Sequence, residues 1–94
     1  MTRLIINNDT IHFTEDGKKL TGCIARLVVN NEIIFLIRYQ HPDLNKDEIL
    51  RVKRVYCEKE SHFRWVSHPA NETDNLSRTI GEEIEKYPHL LALS

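Results

Sequence analysis

The amino-acid sequence predicts an α+β fold: an antiparallel sheet of about five to six strands, closed as a small barrel or left as a curved sheet, with one C-terminal helix packed against it. Three observations carry this expectation. Residues 20–39 hold two apolar, β-branched runs joined across Asn30-Asn31. Segments with strand-like patterning recur from about residue 3 to residue 68, and beyond Pro69 the apolar spacing becomes that of a helix. All 94 residues fit a single domain.

Taken in order, residues 3–6 form a short run ending in Asn7-Asn8-Asp9, suited to an edge strand or a loose arm. Thr10-Ile11-His12-Phe13-Thr14 alternates polar with apolar, which makes a half-buried strand with Ile11 and Phe13 facing the core. Glu15-Asp16-Gly17-Lys18 then reads as a turn. In the central hairpin, Asn30-Asn31 supplies the positive φ angles that a two-residue turn demands. Gly22, early in its first strand, marks a bulge or a sharp bend. Residues 33–37 (IIFLI) are apolar on both faces of any strand, as expected of a central strand with both faces covered. The rest of the chain must supply its neighbours and at least one cover.

Residues 41–48 break the pattern with Pro42 and clustered Asn and Asp, and are expected to be an exposed loop. In residues 49–57 (ILRVKRVYC), Leu50, Val52 and Tyr56 share a face with Arg54, whereas Arg51 and Lys53 share the other with Val55 and Cys57. A bulge near Arg54 would resolve that conflict by resetting the register. Residues 62–68 make a further strand with Phe63 and Trp65 on one face. Leu76, Ile80, Ile84 and Tyr87 then form one helical stripe, so a helix over about 72–87 is the natural cover, with Asn71 or Thr79 opening it. Pro88 ends it, leaving an apolar tail over 88–94.

Composition narrows the function classes. With 13 basic and 14 acidic residues the net charge is −1, so no global field draws the chain to nucleic acid or an anionic membrane. The N-terminal segment has no apolar signal-peptide core and no stretch approaches membrane-spanning length, which gives a cytoplasmic expectation with no membrane partner. Cys23 and Cys57 are too few for a disulfide framework and are expected as two buried free thiols.

Asp9-Thr10-Ile11-His12-Phe13, then Gly17, then Leu20-Thr21-Gly22-Cys23-Ile24, resembles the opening of small SH3-like barrels of the KOW and Tudor type. The resemblance covers about residues 8–29. It implies a curved barrel that binds peptides, modified side chains, ribosomes or RNA and does not catalyse.

The chemical candidates are few. Cys57, His62 and His68 give a C-x4-H-x5-H spacing without a paired cysteine, short of a zinc site, and no cofactor is expected. His12, His41 and His62 with Glu58, Glu60 and Arg64 permit a ribonuclease-like set that nothing in the spacing demands. No phosphate-cradling glycine loop or nucleophile elbow is present. Local charge is more informative. Residues 38–68 carry seven basic and five acidic residues, a net of +2, against two basic and five acidic in residues 69–94, a net of −3.

Arg51, Lys53 and Arg64, with Arg38 beside them, predict a basic stripe near Tyr39 and Trp65, the residue types for phosphate contact and base stacking. The tail residues Leu90, Leu91 and Leu93 predict an interface for a protein partner or a homodimer. The expectation is a non-catalytic binding domain, an adaptor, inhibitor or subunit, acting through protein contacts. A nucleic-acid-binding accessory protein is the alternative and a small ribonuclease-like enzyme the third.

Overall fold

Each strand pairs antiparallel with the next in a single meander. The structure, a computed structural model, describes residues 2–41 and 45–92. The strands are β1 (Thr2–Glu15), β2 (Lys18–Val29), β3 (Glu32–His41), β4 (Lys46–Cys57) and β5 (His62–Ser67), lying in that spatial order. A helix α1 (Asn75–Glu85) and a 3-10 turn (Pro88–Leu91) complete the chain. The expected architecture is therefore present, as an open sheet with one helix and β3 in the middle. The loop expected over residues 41–48 is shorter than that, because His41 ends β3 and residues 46–48 open β4 in register with it, while Pro42, Asp43 and Leu44 lie outside the described residues.

The turns follow the sequence. Asn30 and Asn31 have φ of 50° and 67°, the two positive angles of a hairpin turn whose twist matches its strands. Residues 3–6 are no loose arm, because they pair with β2 as the first half of a long β1. Ile6 stands opposite Ala25 and Thr10 opposite Cys23, so three β1 residues bulge against Ile24 alone. Two extra residues preserve the alternation, and Leu4 and Ile6 share a face with Thr10 and His12.

Two other expected irregularities are absent. The ladder runs without a shift past Gly22, where a side chain would place its Cβ 2.5 Å from Cγ2 of Ile37. Close cross-strand packing requires this glycine, not a bulge. Register is equally continuous around Arg54. Arg54 stays on the inner face, with its guanidinium carbon 4.2 Å from the centre of the Phe63 ring. The conflict in the β4 pattern is resolved because the inner face is no longer buried at this end, where Tyr56 and Phe63 are half-exposed.

The inner face carries Ile11, Phe13, Leu20, Ile24, Phe35, Ile37, Val52 and Trp65, all buried against Ile80 and Ile84 of α1. The backbone of α1 lies nearest β1, β4 and β5, so the sheet curls and the helix bridges towards both of its ends. The helix is shorter than expected. The amides of Ser67 and Asn71 donate to the carbonyls of Glu72 and Ser67, both at 2.8 Å. That turn holds the backbone until Asp74, whose carboxylate caps the helix by accepting from the Ser77 amide at 2.7 Å. A methyl group on Gly81 would fall inside the indole ring of Trp65. This glycine lets the helix approach the sheet.

The tail is a correction. Leu90 is completely buried in the core and Leu91 is half-buried, while Leu93 lies outside the described residues. Buried Arg26 on β2 holds the turn in place: its Nη1 donates to the carbonyls of Ala92 at 2.7 Å, Leu90 at 3.3 Å and His89 at 3.4 Å. Neither thiol is fully buried as expected, since Cys23 is exposed and Cys57 half-buried, and both are free.

Candidate functional site

Strand alternation separates the side chains of the sheet into two sets, and the residues singled out from the sequence fall on both. Arg38, Arg51 and Arg64 are exposed and Lys53 half-buried, all on the outer face away from the helix. Tyr39 and Trp65 are on the inner face, 6% and 4% exposed. The Tyr39 hydroxyl donates to Glu15 at 3.4 Å, and burial together with the Glu15 carboxylate raises its pKa above the usual phenol value. The Trp65 indole N–H donates to Glu85 of α1 at 2.8 Å. The basic stripe and its two aromatic partners are thus on opposite sides of one sheet. Every Phe, Tyr and Trp of the five strands points inward, so the cationic face has no such ring for stacking bases.

The outer face is instead aliphatic in its middle rows, with cations at Arg38 of β3, Arg51 and Lys53 of β4 and Arg64 of β5. One row runs Leu4, Leu27, Ile34, Lys53, Val66 across all five strands, and the next runs Ile6, Ala25, Leu36, Arg51. A third places Arg38 between Cys23 and Ile49. Leu4, Ile6 and Ile49 are 56%, 77% and 49% exposed, whereas Ile34 and Val66 are buried. Lys53 stands between those two in register, and the stem of a lysine covers such surface while its ammonium reaches water. The sequence required cover for both faces of residues 33–37. Among the described residues, α1 and the 3-10 turn cover the inner one and no element covers the outer one.

A second feature lies where the inner face emerges beyond the helix. Arg54, Phe63, Ile33, Phe35 and Leu91 border a half-open cavity of about 210 Å³. The Phe63 ring is 5.2 Å from Tyr56, edge to face. The binding aromatics expected from the sequence are Tyr39 and Trp65; Tyr56 and Phe63, with Arg54, are not among those candidates. The signal was the charged residue on the otherwise apolar side of β4, which marks where burial stops.

The other candidate chemistry is dispersed. His12 is level with the β1–β2 turn and His62 begins β5 at the opposite end of the sheet. Among the described residues no three His, Cys, Asp or Glu side chains are grouped to hold a metal ion. Likewise, no helix among them is long and apolar enough to cross a membrane. No known protein family, curated protein or solved structure matches this chain.

Proposed function

We propose that the chain is a non-catalytic binding domain, an adaptor, inhibitor or subunit, that meets a protein partner through the outer face of its sheet. One observation carries this: β3 is apolar on both sides, and among the described residues α1 and the 3-10 turn cover only the inner one. Leu4 and Ile6 are exposed on the outer side, Leu27 and Leu36 are half-buried, and Ile34 is buried among them, so the apolar side continues over three strands. Apolar surface that stays in contact with water forgoes roughly 25 cal/mol per Å², and a contiguous exposed patch of this kind marks interaction sites. Arg38, Arg51, Lys53 and Arg64 border it, so the partner that fits has an aliphatic strip flanked by carboxylates, whose charge steers approach and sets orientation.

The test compares three chains: the unaltered protein, Leu4→Glu with Ile6→Glu, and Arg51→Ser with Lys53→Ser. Each is used for affinity capture from lysate of the source cells and for light scattering. A partner or a dimer kept by the first and lost by both variants, with folding intact, supports the proposal. Equal capture by all three removes the outer face from consideration. Oligonucleotide binding that weakens steeply with salt and is lost only in the Arg51, Lys53 variant would replace it with nucleic-acid recognition.

A further inference from the structure

We infer that the cavity at the open end of the inner face binds a small apolar group carrying a carboxylate, such as an arylacetic acid or the terminal residue of a peptide. Its floor and walls are apolar: Ile33 and Phe35 from β3, Leu91 from the 3-10 turn and the face of Phe63 from β5. At about 210 Å³ it is smaller than the roughly 300–1,000 Å³ of sites that hold drug-sized ligands, and suits a single ring or branched side chain. The charges around it are Arg54 and Lys53 against Glu32, which leaves a cationic excess.

Arg54 supplies the specificity. Its guanidinium lies over Phe63, 4.2 Å from the ring centre, which fixes its position and shields one side from water. Among the described residues it has neither a hydrogen-bond acceptor nor a salt-bridge partner. A guanidinium placed over a ring and making no other polar contact within the described chain keeps its N–H donors for a ligand, and their fork matches a carboxylate bidentately. An apolar pocket beside such a fork selects ligands that offer both features, and rejects a neutral amide of the same shape because the amide cannot accept two charge-assisted hydrogen bonds.

The cavity opens on the face opposite the aliphatic rows of the proposed partner surface and shares only Lys53 with their cationic border, so a change at Arg54 or Phe63 tests the cavity and a change at Leu4 or Ile6 tests the partner surface. The experiment is an NMR titration of the whole chain, following the backbone amides, with phenylacetate, phenylacetamide and N-acetyl-phenylalanine. The expected result is saturable shifts centred on Ile33, Arg54, Phe63 and Leu91 with phenylacetate, and binding at least about ten-fold weaker with phenylacetamide. Arg54→Gln weakens phenylacetate by a similar factor, and Arg54→Lys, which keeps the charge without the fork, falls between. The acid-to-amide comparison uses the unaltered chain and so reads out even where a variant does not fold.

Binding of N-acetyl-phenylalanine as well as phenylacetate supports a chain terminus as the natural ligand. Its exclusion while phenylacetate binds supports a free small acid. Equal affinity for acid and amide, shifts centred on Arg38 and Arg51, or no saturation in the millimolar range overturns the inference.

Discussion

The two faces of this sheet are built from the same β-branched vocabulary and meet different fates. On β3, Phe35 and Ile37 point inward and are 1% and 0% exposed, sealed by α1 and the 3-10 turn. Their neighbour Leu36 points the other way, in line with Ala25 and with Ile6, which is 77% exposed. The inner face has a helix fitted to it residue by residue, down to a glycine that yields to an indole ring. The outer face has aliphatic side chains and a cationic border, with no element of the described chain upon it. Hydrophobicity by itself therefore does not distinguish core from contact surface in this protein. What distinguishes them is whether the chain supplies a complementary cover.

Removing that cover tests the comparison most severely. Truncation after Tyr87 deletes Leu90 and three carbonyls that accept from Arg26, leaving a cavity and a buried cation short of those three acceptors. Each defect by itself costs a few kcal/mol, so together they are expected to remove about 5 kcal/mol or to unfold the chain. Urea denaturation followed by Trp65 fluorescence reads this directly. A truncated chain with an unchanged midpoint would show that the tail is a free surface after all.

A matched pair of isoleucines comes next. Ile37→Ala on the inner face should cost about 2–5 kcal/mol, whereas Ile6→Ala on the outer face should stay within about 0.5 kcal/mol in the isolated chain. Comparable losses at both positions would mean that the outer face is already covered. Gly81→Ala sharpens the fit on the inner side. Helix propensity favours alanine by about 1 kcal/mol, yet the added methyl meets the Trp65 ring, and overpacking costs about 1–3 kcal/mol. The expected sign is destabilising, and a rise in thermal midpoint would show that the helix can lift away from the sheet.

Smaller effects lie at the boundaries of the cover. Asp74→Ala removes the helix cap and should cost about 1 kcal/mol, measured by denaturation, with Asp74→Ser restoring most of it. Tyr39 gives the weakest signal. Its pKa is raised in the folded chain by burial and by Glu15, so the phenol ionises more readily when unfolded. This contribution is intact below the ordinary value of 10.0 and declines as the pH climbs from there towards the folded pKa. Thermal midpoints between about pH 9 and pH 11 should fall less steeply for Tyr39→Phe than for the unaltered chain.

Local chemistry made much of the fold legible. Two consecutive asparagines fix a hairpin turn wherever they occur between β-branched runs, because the requirement is met within the two residues themselves. The same holds for the alternation of Ile11 with Phe13 and for the helical stripe of Leu76, Ile80 and Ile84. Positions whose role depends on a distant neighbour were not legible. Gly22 resembles a bend until Ile37 is seen above it, and Gly81 resembles a weak point in a helix until Trp65 is seen beneath it.

The candidate site shows the same division. The sequence by itself pointed to a stripe of Arg51, Lys53 and Arg64 with Arg38 beside them, and the observed register puts all four on one face. The sequence also determined that β3 is apolar on both sides. Only the tertiary structure decided which side the helix covers, and that choice buried Tyr39, Trp65 and Leu90 while leaving Phe63, Tyr56, Leu4, Ile6 and Ile49 in contact with water. The physical reason is that a strand's pattern specifies two faces without ranking them. The ranking comes from where α1 and the 3-10 turn can land, which is set by the curl of the whole sheet, the fit of Gly81 against Trp65 and the carbonyls that Arg26 holds.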